Sequence, residues 1–97
     1  MGFSVYTEDQ IHRRSYAGPE AGKWLTRILQ NAPIDGQLSC IGAHSDTMFN
    51  IGQMNRMLTE IADILSKDPD LSNEASELAT LIQETIKRRG YLWISGD

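Results

Sequence analysis

The sequence predicts a mainly helical α+β protein, and three observations support that prediction. Apolar residues recur at helical spacing in three stretches, at about 19–31, 47–66 and 73–89. Short apolar stretches bounded by turn-forming residues or a chain end lie at 3–7, 38–42 and 91–95. The length of 97 residues suits one hydrophobic core, so we expect residues 1–97 to form a single domain.

The first predicted helix begins at Pro19, because proline suits the first position of a helix. It stops before Pro33. Its apolar stripe consists of Ala21, Trp24, Leu25, Ile28, Leu29 and Ala32.

The second and third predicted helices form an antiparallel hairpin. The stripe of the second helix consists of Ile51, Met54, Leu58, Ile61 and Leu65, and Met57 and Ile64 broaden it. The stripe of the third consists of Ala75, Leu78, Ala79, Ile82 and Ile86. Pro69 ends the second helix, and the next three polar residues offer oxygens that can cap the third: Asp70, Ser72 and Asn73. We expect Gly90 to end the third helix in the left-handed conformation.

The three short apolar stretches have two interpretations. In the first, segments 3–7, 38–42 and 91–95 pair as a small sheet that covers the helices. In the second, they are extended segments of the core. Short apolar runs do not distinguish the two, so both remain open at this point.

A dense polar cluster, Asp46, Thr47, Asn50 and Gln53, lies at the start of the second predicted helix. Asp46 or Thr47 can accept hydrogen bonds from the unpaired amides of the first helical turn. Asn50 and Gln53 share a helical face and can fasten the preceding loop, and Gly52 indicates that another segment passes close by. We interpret the polar cluster as structural. The alternative is a small enzyme that uses Asp46, Asn50 and Gln53.

Charge and composition limit the classes of partner. The net charge of −4 and the pI of about 5.0 disfavour nucleic acid and anionic lipid. The basic runs at 12–14 and 87–89 do not make nucleic acid a more favourable partner. The second run is a normal helix end, and we expect the aromatic residues nearest to it to be buried. We find no stretch apolar enough for a membrane span and no signal-peptide pattern. Cys40 is the single cysteine, so we expect a cytoplasmic protein.

No group of residues predicts a metal, a cofactor or a catalytic centre. Cys40 and His44 are four residues apart, but they lie on a predicted strand and loop, and only His12 is left as a further imidazole ligand. We expect Cys40 to be a buried thiol beside a surface histidine. No phosphate-binding loop, dinucleotide fingerprint or serine elbow occurs. The expected protein is therefore not an enzyme.

The acidic residues are concentrated in the predicted hairpin. Between Met57 and Ile86 the chain has seven acids and one base, a balance of −6. The acids are Glu60, Asp63, Asp68, Asp70, Glu74, Glu77 and Glu84. Such a surface is either simply solvated, or it attracts a basic partner and holds it through arginine or lysine pairs.

Two segments resemble a group of short bacterial proteins of unknown function. A D-T-x-F-N-x-x-Q segment is matched by Asp46, Thr47, Phe49, Asn50 and Gln53. A Y-L-W-x-x-G-D segment is matched by Tyr91, Leu92, Trp93, Gly96 and Asp97. The resemblance covers roughly residues 38–97 and implies no established activity. In size and charge the chain is also similar to immunity proteins of bacterial toxin systems.

These features lead us to predict a non-catalytic protein-binding domain. The favoured function is an immunity-type inhibitor that neutralises a bacterial toxin by occluding its active or substrate site, with the acidic hairpin facing a basic toxin domain. The alternative is a homo-oligomeric structural or adaptor protein, such as a homodimer. In that case the Met-rich stripe of residues 51–65 continues across the subunit interface.

Overall fold

The computed structural model describes residues 2–32, 35–42 and 44–96. Within them, three α-helices lie against a four-stranded antiparallel sheet with strand order β2-β1-β4-β3. The strands are β1 (Phe3–Glu8), β2 (Arg14–Tyr16), β3 (Asp46–Phe49) and β4 (Tyr91–Gly96). The helices are α1 (Pro19–Leu29), α2 (Ile51–Lys67) and α3 (Ser72–Lys87). The predicted mainly helical α+β class is confirmed.

The two central strands, β1 and β4, form because their side chains alternate between the core and the opposite face of the sheet. Val5 pairs with Ile94, and both are buried on the helix side. The next pair, Tyr6 and Trp93, points away from the helices, as the period of a strand requires. The sheet interpretation is therefore confirmed for the stretches near the two ends of the chain.

The third stretch expected in that sheet, 38–42, is not a strand. Leu38–Cys40 is a turn of 3-10 helix, and Leu38 is buried in the core. The carboxylate of Glu60 accepts hydrogen bonds from the backbone N–H groups of Gln37 and Leu38, at 2.7 and 3.0 Å. Because a side chain satisfies these amides, the segment needs no neighbouring strand. The sheet is completed instead by β2 and β3, which the sequence pattern did not predict.

Helix α2 begins later than predicted, at Ile51 rather than near residue 47. Residues Asp46–Phe49 form the edge strand β3, in which Phe49 pairs with Leu92. The ring of Phe49 is 1% exposed. Strand geometry turns this ring into the core while its neighbours face outwards, which is the physical reason for the later helix start.

The link between α2 and α3 is capped differently from the prediction. Asp68 ends α2, and its side chain accepts a hydrogen bond from the backbone N–H of Asp70 at 3.3 Å. Pro69–Leu71 is a turn of 3-10 helix that runs directly into α3, whose N-cap position, Leu71, has no capping side chain. The caps predicted for α3 are therefore wrong: Asp70, Ser72 and Asn73. The expected packing of α2 on α3 is confirmed.

The chain leaves α3 through Arg89, which takes the left-handed conformation that was predicted for Gly90. The φ angle of Arg89 is 56°. Gly90 is buried against β1, where a Cβ atom would collide with the backbone oxygen of Glu8. Glycine is required at this position for close approach of two backbones, not for an unusual φ angle.

The core lies between the helices and the inner face of the sheet. Helix α3 packs on both α1 and α2, and α1 also packs on β1. Met54 and Met57 of the predicted Met-rich stripe are fully buried in the chain's own core, whereas Ile51 at its start is 36% exposed. No helix of the described residues is long and apolar enough to cross a lipid bilayer.

Candidate functional site

The face of the sheet that points away from the helices carries a continuous line of large side chains. Tyr16, Tyr6, Trp93 and Met48 stand opposite one another on β2, β1, β4 and β3. We call these four residues the aromatic row. Tyr16 is 56% exposed and Met48 43% exposed at the two edges, while Tyr6 and Trp93 are half-buried. The solvent face of an antiparallel sheet is usually polar, so this row marks the outer face as a candidate binding surface.

A charged group lies beside the aromatic row, where β1 ends. The carboxylate of Glu8 is only 7% exposed, and it contacts Nδ1 of His12 at 2.9 Å and Nη2 of Arg14 at 3.6 Å. The guanidinium of Arg14 also lies over the Trp93 ring, 4.2 Å from its centroid. His12 stacks on Tyr91, with ring centroids 6.2 Å apart. Arg14 therefore connects the buried acid to the aromatic row through an ion pair and a cation–π contact.

The indole N–H of Trp93 is buried and has no hydrogen-bond partner among the described residues. Leaving a buried donor unpaired typically costs about 1–3 kcal/mol. The register places this ring between Tyr6 and Met48, in the middle of the outer face. A destabilising group at this position indicates that the surface is not optimised for stability alone.

Two members of the predicted polar cluster, Asn50 and Gln53, hold the start of α2, and Asn50 also lines a cavity of about 470 Å³ beside Arg56 and Arg89. The N–H of Gln53 donates to Oδ1 of Asn50 at 2.9 Å, and the N–H of Asn50 donates to Oε1 of Gln53 at 2.8 Å, which is a reciprocal capping box. Asp46 and Thr47 lie inside β3, so their predicted role as helix caps is wrong. A cap has to precede the first helical residue directly, and Asn50 occupies that position.

The structure also bears on the expectations for Gly52, Cys40 and His44. A Cβ atom at Gly52 would meet Oδ1 of Asn50 at 3.5 Å, and no other segment of the described chain comes within 4 Å, so the expected close neighbour is wrong. Cys40 is exposed, not buried, and His44 is exposed as predicted. In the part of the chain that the structure describes, no three His, Cys, Asp or Glu residues are grouped to hold a metal ion. Asp97 lies outside the described residues.

Four of the seven hairpin acids have partners inside the chain. Glu60 accepts two backbone hydrogen bonds, and Asp68 accepts one in the link. Glu74, which is 17% exposed, pairs with Nη1 of Arg27 on α1 at 3.1 Å. Glu84 contacts Nη2 of Arg88 at 3.9 Å, one turn along α3. The pair of Glu74 connects α3 to α1, and the hydrogen bonds of Glu60 connect α2 to the 3-10 turn at residues 38–40, so these two acids have a structural role.

The other three hairpin acids are exposed, and their carboxylates have no hydrogen bond or ion pair within the described residues. They are Asp63 on α2, Asp70 in the link and Glu77 on α3. We call these three residues the open acids. A groove of about 310 Å³ lies between α2 and α3, where Leu58 and Ile86 supply apolar surface among polar neighbours such as Gln83.

No family model matches the chain, and no curated protein or solved structure matches it either. The resemblance of residues 38–97 to short bacterial proteins therefore stays a prediction.

The aromatic row was missed by the sequence reasoning, which expected the aromatic residues after the third helix to be buried. Tyr91 and Trp93 are only half-buried, on the outer face, whereas Leu92 and Ile94 between and after them are buried. This alternation is visible in the sequence and could have indicated an aromatic outer face. The contribution of Tyr16 could not have been found in this way, because β2 is only three residues long.

Proposed function

We propose that this chain is a non-catalytic protein-binding domain of the immunity type, which inhibits a basic toxin domain by covering its active or substrate site. The proposal rests on the uneven distribution of acidic and basic residues along the chain. Residues 57–86 hold seven acids and one base, a balance of −6, whereas the rest of the chain holds six acids and eight bases, a balance of +2. The negative charge of the protein is therefore concentrated in α2, α3 and the link between them.

The open acids are the carboxylates that remain available to a partner. An acid that already has an internal partner, such as Glu74 with Arg27, would have to give up that pair in order to bind elsewhere. Asp63, Asp70 and Glu77 have no such pair to lose. Their backbones are fixed in helical segments, so a guanidinium or ammonium group can approach without ordering a loop first.

The groove between α2 and α3 supplies an apolar contact on the same layer of the molecule. Leu58 and Ile86 line it, and its volume of about 310 Å³ is suited to one or two side chains of a partner. Protein interfaces usually combine a few desolvated apolar anchors with a polar rim. The helical layer therefore offers both parts of an interface for a basic protein.

Inhibition of this kind needs no bond to be made or broken. Opposite charges on the two proteins raise the rate of association by about 10- to 1,000-fold over a neutral pair, and salt reduces that gain. Once bound, the inhibitor excludes the substrate by its volume. The proposal thus predicts rapid, salt-dependent association followed by loss of the toxin's activity.

The test uses the purified product of the gene adjacent to the one that encodes this chain, measured for association rate and for residual enzymatic activity. Charge reversal of two open acids, Asp63→Lys with Glu77→Lys, should lower the association rate by about tenfold or more, since attraction becomes repulsion. The matched control is Glu20→Lys with Asp35→Lys. It changes the net charge equally but leaves the hairpin intact, and it should lower the rate much less.

Three results would overturn the proposal. The first is no binding between the chain and the neighbouring gene product. The second is binding without loss of the toxin's activity. The third is an equal loss of association rate in the hairpin variant and in the control, which would show that net charge matters but the open acids do not.

A further inference from the structure

We infer that the cavity at the start of α2 is a binding site for a small, soluble phosphomonoester, which the guanidinium groups of Arg56 and Arg89 bind together. This inference goes beyond the proposed toxin target and does not depend on it. It rests on the charges that line the cavity, on the lack of ion pairs for both arginines within the described residues, and on the apolar side chains beside them.

The cavity lies where the start of α2 meets the passage from α3 into β4. Its volume of about 470 Å³ is within the usual range of small-molecule sites, about 300–1,000 Å³. Asn50, Ile51, Gly52 and Arg56 line it from α2 and its cap, and Arg89 and Tyr91 line it from the other side of the junction. No acidic residue among those that the structure describes lines it. The cavity therefore carries two positive charges and no negative charge.

A second cavity of similar size shows that this charge is not simply what any dent in the surface would have. That cavity, of about 440 Å³, lies between α3 and the hairpin of β1 and β2, and Arg13 and Arg88 line it. Three acids line it as well: Glu8, Asp9 and Glu84. The protein as a whole has a net charge of −4. A cavity with two cations and no acid is therefore a local exception, and its field attracts an anion.

Both arginines are free to bind an anion, in contrast to the arginines that stabilise the fold. Arg14, Arg27 and Arg88 each pair with a carboxylate of the chain. Arg56 and Arg89 are exposed and have no ion pair within the described residues. Arg89 differs in this respect even from Arg88, the residue directly before it. An anion in the cavity would therefore displace no acid from either guanidinium group.

The backbone holds both arginines in place before any ligand binds. Arg56 lies on α2 between Met54 and Met57, and both methionines are fully buried. The backbone N–H of Arg89 donates to the carbonyl oxygen of Ile86 at 2.9 Å, at the end of α3. Binding an anion thus orders two side chains but no loop, which lowers the entropy cost of binding.

The cavity also has apolar surface, which indicates that its ligand carries an apolar group. Ile51 lines the cavity and is 36% exposed, one of the few large apolar side chains that the described chain leaves in solvent. Tyr91 lines it too and is half-buried. Small-molecule sites usually combine such apolar walls with a few charged or polar groups that fix the orientation of the ligand. The expected ligand is therefore an organic phosphate and not the bare ion.

A phosphomonoester fits two guanidinium groups better than a carboxylate does. Its charge at pH 7 is about −1.5 to −2, which matches two cations, whereas a carboxylate carries a single negative charge. Its three terminal oxygens can accept from both guanidinium forks at once. The capping box uses the N–H groups of Asn50 and Gln53. The N–H groups of Ile51 and Gly52 have no partner within the helix and can add to phosphate binding, but the two arginines define the site.

The experiment is a titration of the full chain with phenyl phosphate, followed by two-dimensional amide NMR. We expect a dissociation constant of about 0.1–1 mM, since the site is open and the probe is small. The shifted amides should be those of residues 50–56 and 89–91. Benzoate, which has the same ring and a single charge, should bind about tenfold more weakly.

The variants Arg56→Gln and Arg89→Gln should each weaken the binding of phenyl phosphate by about tenfold or more, because each removes charged hydrogen bonds to the phosphate. The matched control is Arg13→Gln. Arg13 is also exposed and has no ion pair within the described residues, but it lines the other cavity, so its loss should leave binding unchanged. The amide spectrum of each variant shows at the same time that the variant is folded.

The inference is overturned if phenyl phosphate causes no saturable shifts up to about 20 mM, or if Arg13→Gln weakens binding as much as the two cavity variants do. It is also overturned if phosphatidylcholine vesicles that contain phosphatidic acid bind the chain while phenyl phosphate does not, which would assign the arginines to a membrane surface. The open acids do not line the cavity, so Asp63→Lys with Glu77→Lys should not weaken phenyl phosphate binding. The toxin proposal and this one therefore fail independently.

Discussion

The guanidinium carbon of Arg14 lies 4.2 Å from the centroid of the Trp93 ring, although the two residues belong to strands that are not neighbours in the sheet. The side chain of Arg14 crosses β1 to make this contact, and on its way it pairs with the buried carboxylate of Glu8. One side chain thus joins three strands on the open face. The arrangement depends on the planar shape of the guanidinium as well as on its charge.

Replacing Arg14 with lysine should therefore destabilise the protein even though the charge is kept. We expect Arg14→Lys to lower the free energy of unfolding by about 0.5–1 kcal/mol, because an ammonium group cannot stack on the indole as a guanidinium does. Urea unfolding followed by far-UV circular dichroism measures the change. Arg13→Lys, at an exposed neighbouring position, is the matched control and should have almost no effect. Equal losses in the two variants would contradict the role of the stacked guanidinium.

The capping box of α2 gives a second prediction. Asn50→Ala and Gln53→Ala should each lower the free energy of unfolding by about 1 kcal/mol, since each removes one of the two reciprocal hydrogen bonds. The double variant should lose less than the sum, because the two side chains act as one unit. Thermal unfolding of the wild-type chain, the two single variants and the double variant measures this double-mutant cycle.

The control for the capping box is Asn55→Ala, which removes the same type of side chain from an exposed position inside α2. It should be neutral or slightly stabilising, because alanine has the higher helix propensity. Full additivity of Asn50→Ala and Gln53→Ala would contradict the reciprocal arrangement.

The sequence predicted the helices well because each carries its own apolar stripe. The buried residues of α2 are Met54, Met57, Ile61 and Ile64, whereas Ile51 at its start is 36% exposed. In α3 the predicted Ala75, Leu78 and Ile82 are buried. The start of α2 was misplaced because Asp46 and Thr47 are good capping residues by type. The better signal was the spacing of Asn50 and Gln53, which matches a capping box directly before the stripe.

The sheet was only partly predictable, since strand pairing depends on contacts that are distant in the sequence. Leu38 looks like a strand residue, but its backbone N–H is held by the carboxylate of Glu60, 22 positions away. No local pattern reveals such a partner. The same limit applies to the aromatic row, in which Tyr16 and Trp93 become neighbours of Tyr6 only through the strand order. The outer face of the sheet therefore emerges from the topology.

Two glycines with opposite environments give a third prediction. Gly52→Ala should raise the free energy of unfolding by about 0.5–1 kcal/mol, because the site is exposed, helical and open to a methyl group. Gly90→Ala should lower it by more than about 2 kcal/mol, because the methyl group would overlap the backbone oxygen of Glu8 and push the end of β1 away from the residue that precedes β4. Urea unfolding distinguishes the two signs. A stabilising effect of Gly90→Ala would contradict the close approach of the two backbones.

The last prediction compares two acids of α2. Glu60 has a structural role, and Asp63 is one of the open acids. Glu60→Ala leaves the backbone N–H groups of Gln37 and Leu38 without their acceptor, so we expect a loss of about 1–3 kcal/mol in the free energy of unfolding. Hydrogen exchange at these two amides should also become faster. Asp63→Ala, one turn of α2 away, removes an open acid and should change stability by less than about 0.5 kcal/mol. If Asp63→Ala proved the more damaging of the two, the division of the hairpin acids into structural and open groups would be wrong.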